Sequence, residues 1–219
     1  MRLQQPLEPE VYQGQFGEYT INKGDRMGVL VYRSGLLAAA LSFALGTGLV
    51  LSLGDTSIAL TALTFLYTLF WVALGVSLVT IHIYLLPLHR LLQIFWAIGG
   101  IASTVLALSS HEPLALLVYN HPTAILGVGF TFAALTGIYF KEAFCFNRLE
   151  TKVLTPLVPI LLLGHLTGIL PVAWEQSLLS IWAVLFMVFA LRKVMQPITP
   201  DIGDKSVFVY LKQQRAAHS

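Results

Sequence analysis

Apolar residues along this chain come in long runs separated by short polar junctions, and each run is close to the length of a membrane span. A helix needs about 20 mainly apolar residues to cross a bilayer. The first run is Ser34 to Leu53, approached through Met27 to Arg33. Arg33 lies a turn inside it and is expected to snorkel to the headgroups. Gly54, Asp55, Thr56 and Ser57 make a turn, with Thr56 or Ser57 suited to cap the next helix. The second run, Ile58 to Leu86, is longer than the hydrocarbon is thick, so it must tilt or protrude; Pro87 stops or kinks it. The third is Leu91 to Leu108. Leu114 to Tyr119 is apolar but too short to span, and reads as a re-entrant or interfacial turn. The fourth run is Thr123 to Phe140. A polar junction from Lys141 to Lys152 follows, then Leu154 to Leu170, with Pro156 and Pro159 expected in its first turns. The sixth, Val172 to Leu191, is the weakest.

The pattern predicts an all-α, polytopic membrane protein, a bundle of about six transmembrane helices. Its expected divisions are a cytoplasmic N-terminal segment over 1–26, a six-helix domain over 27–193 and a cytoplasmic tail over 194–219. Composition agrees. Hydrophobic residues are 56% of the 219 and charged residues 11%, well below the roughly 25% of soluble domains. Charge then adds a topology. With the N-terminus inside, all 13 Lys and Arg fall on the inner side, and the outer loops hold only Asp55, Glu112 and Glu175. That is the positive-inside pattern. The polar first 26 residues lack the form of a signal peptide, so the first span is expected to direct insertion.

Small residues recur at four-residue spacing: Ala38, Ser42 and Gly46; Gly99, Ser103 and Ala107; Gly129, Ala133 and Gly137; Gly164 and Gly168. Such ladders let helices approach closely in lipid, within one bundle or across a homo-oligomer. The lipid bilayer is the expected partner, other membrane subunits are compatible, and a net charge of +2 gives no basis for nucleic-acid binding.

Ionisable groups near the bilayer are where chemistry would sit, because burying them is costly. An outer set comprises His111, Glu112, His121, His165 and Glu175, with Asp55 at a neighbouring helix end. These residue types suit a divalent metal or a proton relay, although their spacing matches no ligand motif and ordinary interfacial hydrogen bonding accounts for them too. An inner set contains His82 and His89. Seven residues apart, they would share a face of an unbroken helix, and each could serve as an axial ligand to haem or chlorophyll. They would lie about 10 Å apart along the axis, too far to share one metal. The single cysteine, Cys145, forms no intramolecular disulfide and reads as a packed thiol. Trp71, Trp96, Trp174 and Trp182 read as anchors and packing.

No serine-protease motif, His-Glu-x-x-His or phosphate-binding Gly-rich loop is present, and the halves show no inverted repeat. The segment Val11-Tyr12-Gln13-Gly14-Gln15-Phe16-Gly17-Glu18-Tyr19-Thr20-Ile21, followed by Asp25-Arg26 and Tyr32-Arg33, resembles the N-terminal signature of an uncharacterised family of integral membrane proteins from cyanobacteria and plastids. The likeness extends through His111 to Pro122 and Tyr139 to Phe146. It implies a thylakoid or plasma membrane setting and carries no catalytic residue with it. The aromatic N-terminal segment is expected to lie on the membrane surface or over the inner ends of the bundle. The expected role is accessory, in support or assembly of a membrane (photosynthetic) complex. A small transporter or channel, and a metalloenzyme built on the outer His/Glu set, are the alternatives.

Overall fold

A computed structural model describes residues 10–217. Six helices are long and apolar enough to cross a membrane. A β-hairpin, β1 (Val11–Gly14) and β2 (Gly17–Thr20), precedes α1 (Lys23–Leu53). Then come α2 (Ser57–Thr80), α3 (Leu86–Ser109), the short α4 (Leu114–Asn120), α5 (Ile125–Phe146), α6 (Leu149–Leu166) and α7 (Val172–Met195). A single turn, α8 (Thr199–Ile202), and α9 (Lys205–Ala217) complete the chain.

Local chemistry sets the boundaries. Asn22 and Asp25 form a reciprocal capping box at the start of α1, with N–O distances of 2.9 and 2.8 Å. Thr56 caps α2 by accepting from the Ala59 amide. The overlong second run is resolved by breaking: α2 stops at Thr80, residues 81–85 are not helical, and Pro87 sits in the first turn of α3. There its missing amide costs nothing. The polar junction after the fourth run is helix, not loop. It extends α5 to Phe146 and starts α6 at Leu149, with Asn147 in the left-handed region between them (φ 52°). Because α6 begins so early, Pro156 and Pro159 lie two turns and more inside it. The expectation of prolines in the first turns was therefore wrong, although membrane helices accommodate interior proline.

The core is formed by α1, α2, α5, α6 and α7 around Leu36, Leu74, Leu135, Tyr139, Trp182 and Phe186, all at 2% exposure or less. Trp182 donates its indole N–H to the Tyr139 hydroxyl at 3.2 Å, which satisfies the polar handles of both rings. The third helix, α3, is peripheral and packs chiefly on α5 and α2. Trp71 and Trp96 join it to α2, their rings stacked at 4.3 Å and each indole N–H donated to the other residue's carbonyl. Glycines of the predicted ladders mark the close approaches, Gly99 facing Thr131 across α3 and α5, and Gly46 facing Leu63 across α1 and α2.

The helices alternate in direction, so one end of the bundle carries the hairpin and α9, and with them the described Lys and Arg residues. This is called the basic end below. Arg2 lies outside the described residues. Arg33 does not snorkel. It is 5% exposed, and its Nε donates to Asp201 Oδ2 at 2.8 Å while other guanidinium N–H groups donate to the carbonyls of Gln196 and Pro197 at 2.5 and 2.8 Å. The chain after α7 folds back to supply these acceptors, which the fork of an arginine matches. Cys145 is exposed, not packed.

The hairpin and α9 close over the basic end together. Phe16 stacks on Tyr210 at 4.0 Å. Asp204 Oδ2 accepts from the Gln15 amide at 2.6 Å, and Ser206 Oγ from the Phe16 amide at 3.0 Å. The Ser206 hydroxyl, donating to Asp204 Oδ1 at 2.6 Å, and the Gln15 and Ser206 amides hold the Asp204 carboxyl below its ordinary pKa. A lowered folded-state pKa adds stability above the unfolded value, which is lost as pH falls through the folded value. Acidification below the ordinary carboxylate range should therefore loosen the hairpin from α9. Amide exchange at Gln15 and Phe16, corrected for the intrinsic rate, should rise at acid pH; in Asp204→Asn it should be fast at every pH.

Candidate functional site

At the end opposite the basic end, the bundle does not close. Between α1, α2 and α7 lies an apolar cavity in two adjoining lobes, about 300 Å³ and 420 Å³. Val50, Leu63, Ala115, Val118 and Leu179 line both lobes. These volumes are in the range of small-molecule sites. The deeper lobe reaches Phe70 and Phe132, above the aromatic core. The outer lobe reaches the turn at Gly54 and Asp55 and the start of α7.

The short helix α4 packs on the end of α2 and turns Leu114, Ala115 and Val118 into the cavity. Its seven residues cannot span, and Pro113 and Pro122 bound it. Beside it, His165 from the last turn of α6 and Glu175 from the first turn of α7 meet with Nδ1 and Oε1 2.7 Å apart. The two side chains are 17% and 15% exposed. Tyr119 of α4 stacks on the imidazole at 5.4 Å. The tight turn between α6 and α7, with Gly168 at φ 66°, brings the pair together. Donation from Nδ1 to the carboxylate orients the ring and leaves Nε2 for a ligand or a proton.

Of the residues singled out from the sequence, then, His165 and Glu175 are joined and line the cavity, and Asp55 lines its mouth. His111, Glu112 and His121 do not line it; all three are exposed in the loops flanking α4. Among the described residues, no group of three or more His, Cys, Asp or Glu is close enough to hold a metal ion.

The shared face expected for His82 and His89 does not exist, because the helix ends between them. His82 lies in the 81–85 linker, half-buried beside Asp25 and Lys205 under the α9 cap. Burial lowers its pKa against the opposing pull of the Asp25 charge. His89 is in the first turn of α3, with Nε2 2.6 Å from the Leu78 carbonyl. That bond occupies the nitrogen a porphyrin metal would need.

Two polar assemblies were not anticipated. At mid-depth the Tyr67 hydroxyl is 2.6 Å from Ser103 Oγ and 3.3 Å from Thr131 Oγ1, tying α2, α3 and α5. At the basic end Glu142, with no exposure, accepts from Lys193 and Lys141 at 2.7 and 2.8 Å and from the Tyr32 hydroxyl at 3.3 Å. Lys193 also pairs with Asp201 and lies 4.1 Å from the Phe146 ring centre. The signal was present in the sequence as Glu142 and Lys193, charges two residues beyond the apolar runs that end at Phe140 and Leu191; reading those stretches as loop hid them.

Six apolar helices, outward-facing apolar side chains such as Phe65, Ile101 and Leu108, and charge confined to the ends and one sealed cluster define a multi-pass integral membrane protein. More narrowly, the chain belongs to the family described as "Uncharacterized integral membrane protein (DUF2301)", which matches over residues 76–210. The matched region runs from late α2 into α9 and so contains α4, the His165–Glu175 pair and the Glu142–Lys193–Asp201 cluster; the hairpin and α1 lie before it. No curated protein and no solved structure matches the chain.

Proposed function

We propose that this chain is a non-enzymatic membrane protein that holds a small, largely apolar molecule in the cavity beside His165 and Glu175, and that it serves a membrane complex by handling that molecule. The observation that carries this reading is the cavity itself. It is lined by aliphatic and aromatic side chains, open at one end, and closed toward the other by Trp182, Tyr139 and the buried ion cluster. Small-molecule sites have this form, apolar walls with few polar groups. A photosynthetic complex in a thylakoid or plasma membrane is the setting that the family resemblance implies.

The test is direct. In nanodiscs, the apolar fluorophore 1-aminoanthracene should bind saturably above the background of empty discs. Leu63 lines both lobes, so Leu63→Trp should fill the cavity and weaken this binding by about tenfold, a loss of about 1.4 kcal/mol, without lowering thermal stability. Unsaturable binding, or binding indifferent to Leu63→Trp, counts against the reading.

The same proposal puts the basic end on the cytoplasmic side, in keeping with the position of Lys and Arg. Cys145 is the only cysteine and is exposed at that end. A membrane-impermeant maleimide should label it in inverted vesicles and not in right-side-out vesicles. The reverse result would invert the topology.

A further inference from the structure

We infer that the molecule held in the cavity is a cationic amphiphile, an apolar body bearing one alkylammonium-type group, seated with its charge at Glu175 and Asp55 and its body in the lobes beneath α4. This deepens the proposed function and rests on it. Three observations point the same way.

First, the deeper lobe is mainly apolar, and of the hydroxyls that line it only that of Thr47 is uncommitted among the described residues. Ser42 Oγ donates to the Ala38 carbonyl at 2.8 Å and Thr64 Oγ1 to Leu60 at 3.1 Å. Tyr67 is engaged by Ser103 and Thr131. The part of the ligand that lies there must be apolar, because an unmatched polar group would lose its water without compensation.

Second, the mouth is polar and rich in carboxylate. Asp55 and Glu175 both line the outer lobe, and no Lys or Arg lines either lobe. His165 Nδ1 lies 2.7 Å from Glu175 Oε1 and holds that carboxylate at the mouth, where two carboxylates stand against one imidazole. Glu175 Oε1 receives that bond, and no other hydrogen bond to this carboxylate is made among the described residues. The two carboxylates, Glu175 being 15% exposed, sit in a partly desolvated place, where an opposite charge gains more than it would in open water.

Third, the surroundings select among cations. No group of three acidic, His or Cys ligands exists for a metal ion among the described residues, and apolar walls would strip a hydrated inorganic ion of water without replacing it. A quaternary alkylammonium carries its own apolar surface and is weakly hydrated. The Tyr119 ring, stacked over His165 beside the carboxylate, adds an aromatic face of the kind such groups favour. A phospholipid would bring its phosphate against two carboxylates, which is repulsive.

Displacement of 1-aminoanthracene from the protein in nanodiscs tests this, using octyltrimethylammonium, octanol and octyl sulfate, each corrected for partition into empty discs. Octyltrimethylammonium should displace the fluorophore at about tenfold lower corrected concentration than octanol, and octyl sulfate should be weaker than octanol. Glu175→Gln keeps an oxygen for the His165 bond; combined with Asp55→Asn, it should bring the corrected displacing concentrations of octyltrimethylammonium and octanol together, a ratio read against the variant's own affinity for the fluorophore. Asp55→Asn alone, in an exposed turn, should reduce the preference without affecting folding. If the wild type binds the fluorophore but treats cation and alcohol alike, or if the preference survives in the double variant, the inference is overturned and the cavity reading stands. If the fluorophore does not bind saturably, both fall.

Discussion

Glu142→Leu should destabilise the bundle by about 3–5 kcal/mol, the usual cost of removing one partner from a buried ion cluster. Glu142 is the acceptor around which the basic end is organised. It takes Lys193, Lys141 and the Tyr32 hydroxyl at 3.3 Å or less. Without it, Arg33 and Lys193 share the carboxylate of Asp201, and Lys141 loses its carboxylate partner. Lys141 is 10% exposed and can turn toward the headgroups, but Lys193 has no exposure and cannot leave. The double variant Glu142→Leu/Lys193→Met should then recover most of the loss, since Asp201 keeps Arg33 and the methionine fills the space beside Phe146. Denaturant unfolding in mild detergent gives both values. A single variant as stable as wild type would show that the cluster is hydrated and open.

Gly99→Leu should detach α3 from the bundle. A side chain there meets the backbone and hydroxyl of Thr131, and backbone cannot yield as a flexible side-chain tip can. Overpacking typically costs about 1–3 kcal/mol, occasionally more, and here it also separates Ser103 from Tyr67. Because α3 is the least buried span, with 17% of its apolar window covered, it has few other contacts to retain it. The stacked Trp71–Trp96 pair that joins α3 to α2 reports the outcome: its near-ultraviolet circular dichroism should be present in the parent and lost with Gly99→Leu. Gly48→Leu is the control. Nothing lies near a Cβ at Gly48, so its effect should stay within about 0.5 kcal/mol.

The sequence alone pointed to the six spans because hydrophobic runs of bilayer length have one economical fate, and the alternation of Lys and Arg tested their number. The capping turn at Thr56, the short apolar segment at Leu114 to Tyr119 and the close approach at Gly99 were legible for the same local reason. Boundaries were less so. Lys141 and Glu142 read as a junction because charge usually marks the end of a span, yet here the helix continues and buries its acid.

The candidate site divided along the same line. His165 and Glu175 were both named from residue type, but ten residues of turn and helix separate them, and nothing in their spacing requires contact. Only the left-handed turn at Gly168 makes them neighbours. His82 and His89 failed in the opposite sense, since a spacing that would align them on one helix is void once that helix stops at Thr80.

What the amino-acid order determined by itself was therefore the membrane class, the count of spans and the segregation of charge to the ends, all properties of single segments set against a bilayer. What tertiary structure decided was which charges pair. Arg33 meets Asp201, and Glu142 meets Lys193, through contacts between segments far apart in the chain. The cavity also belongs to tertiary structure: it is space left where α1, α2 and α7 diverge beneath α4, and no residue encodes a void that its neighbours do not jointly enclose.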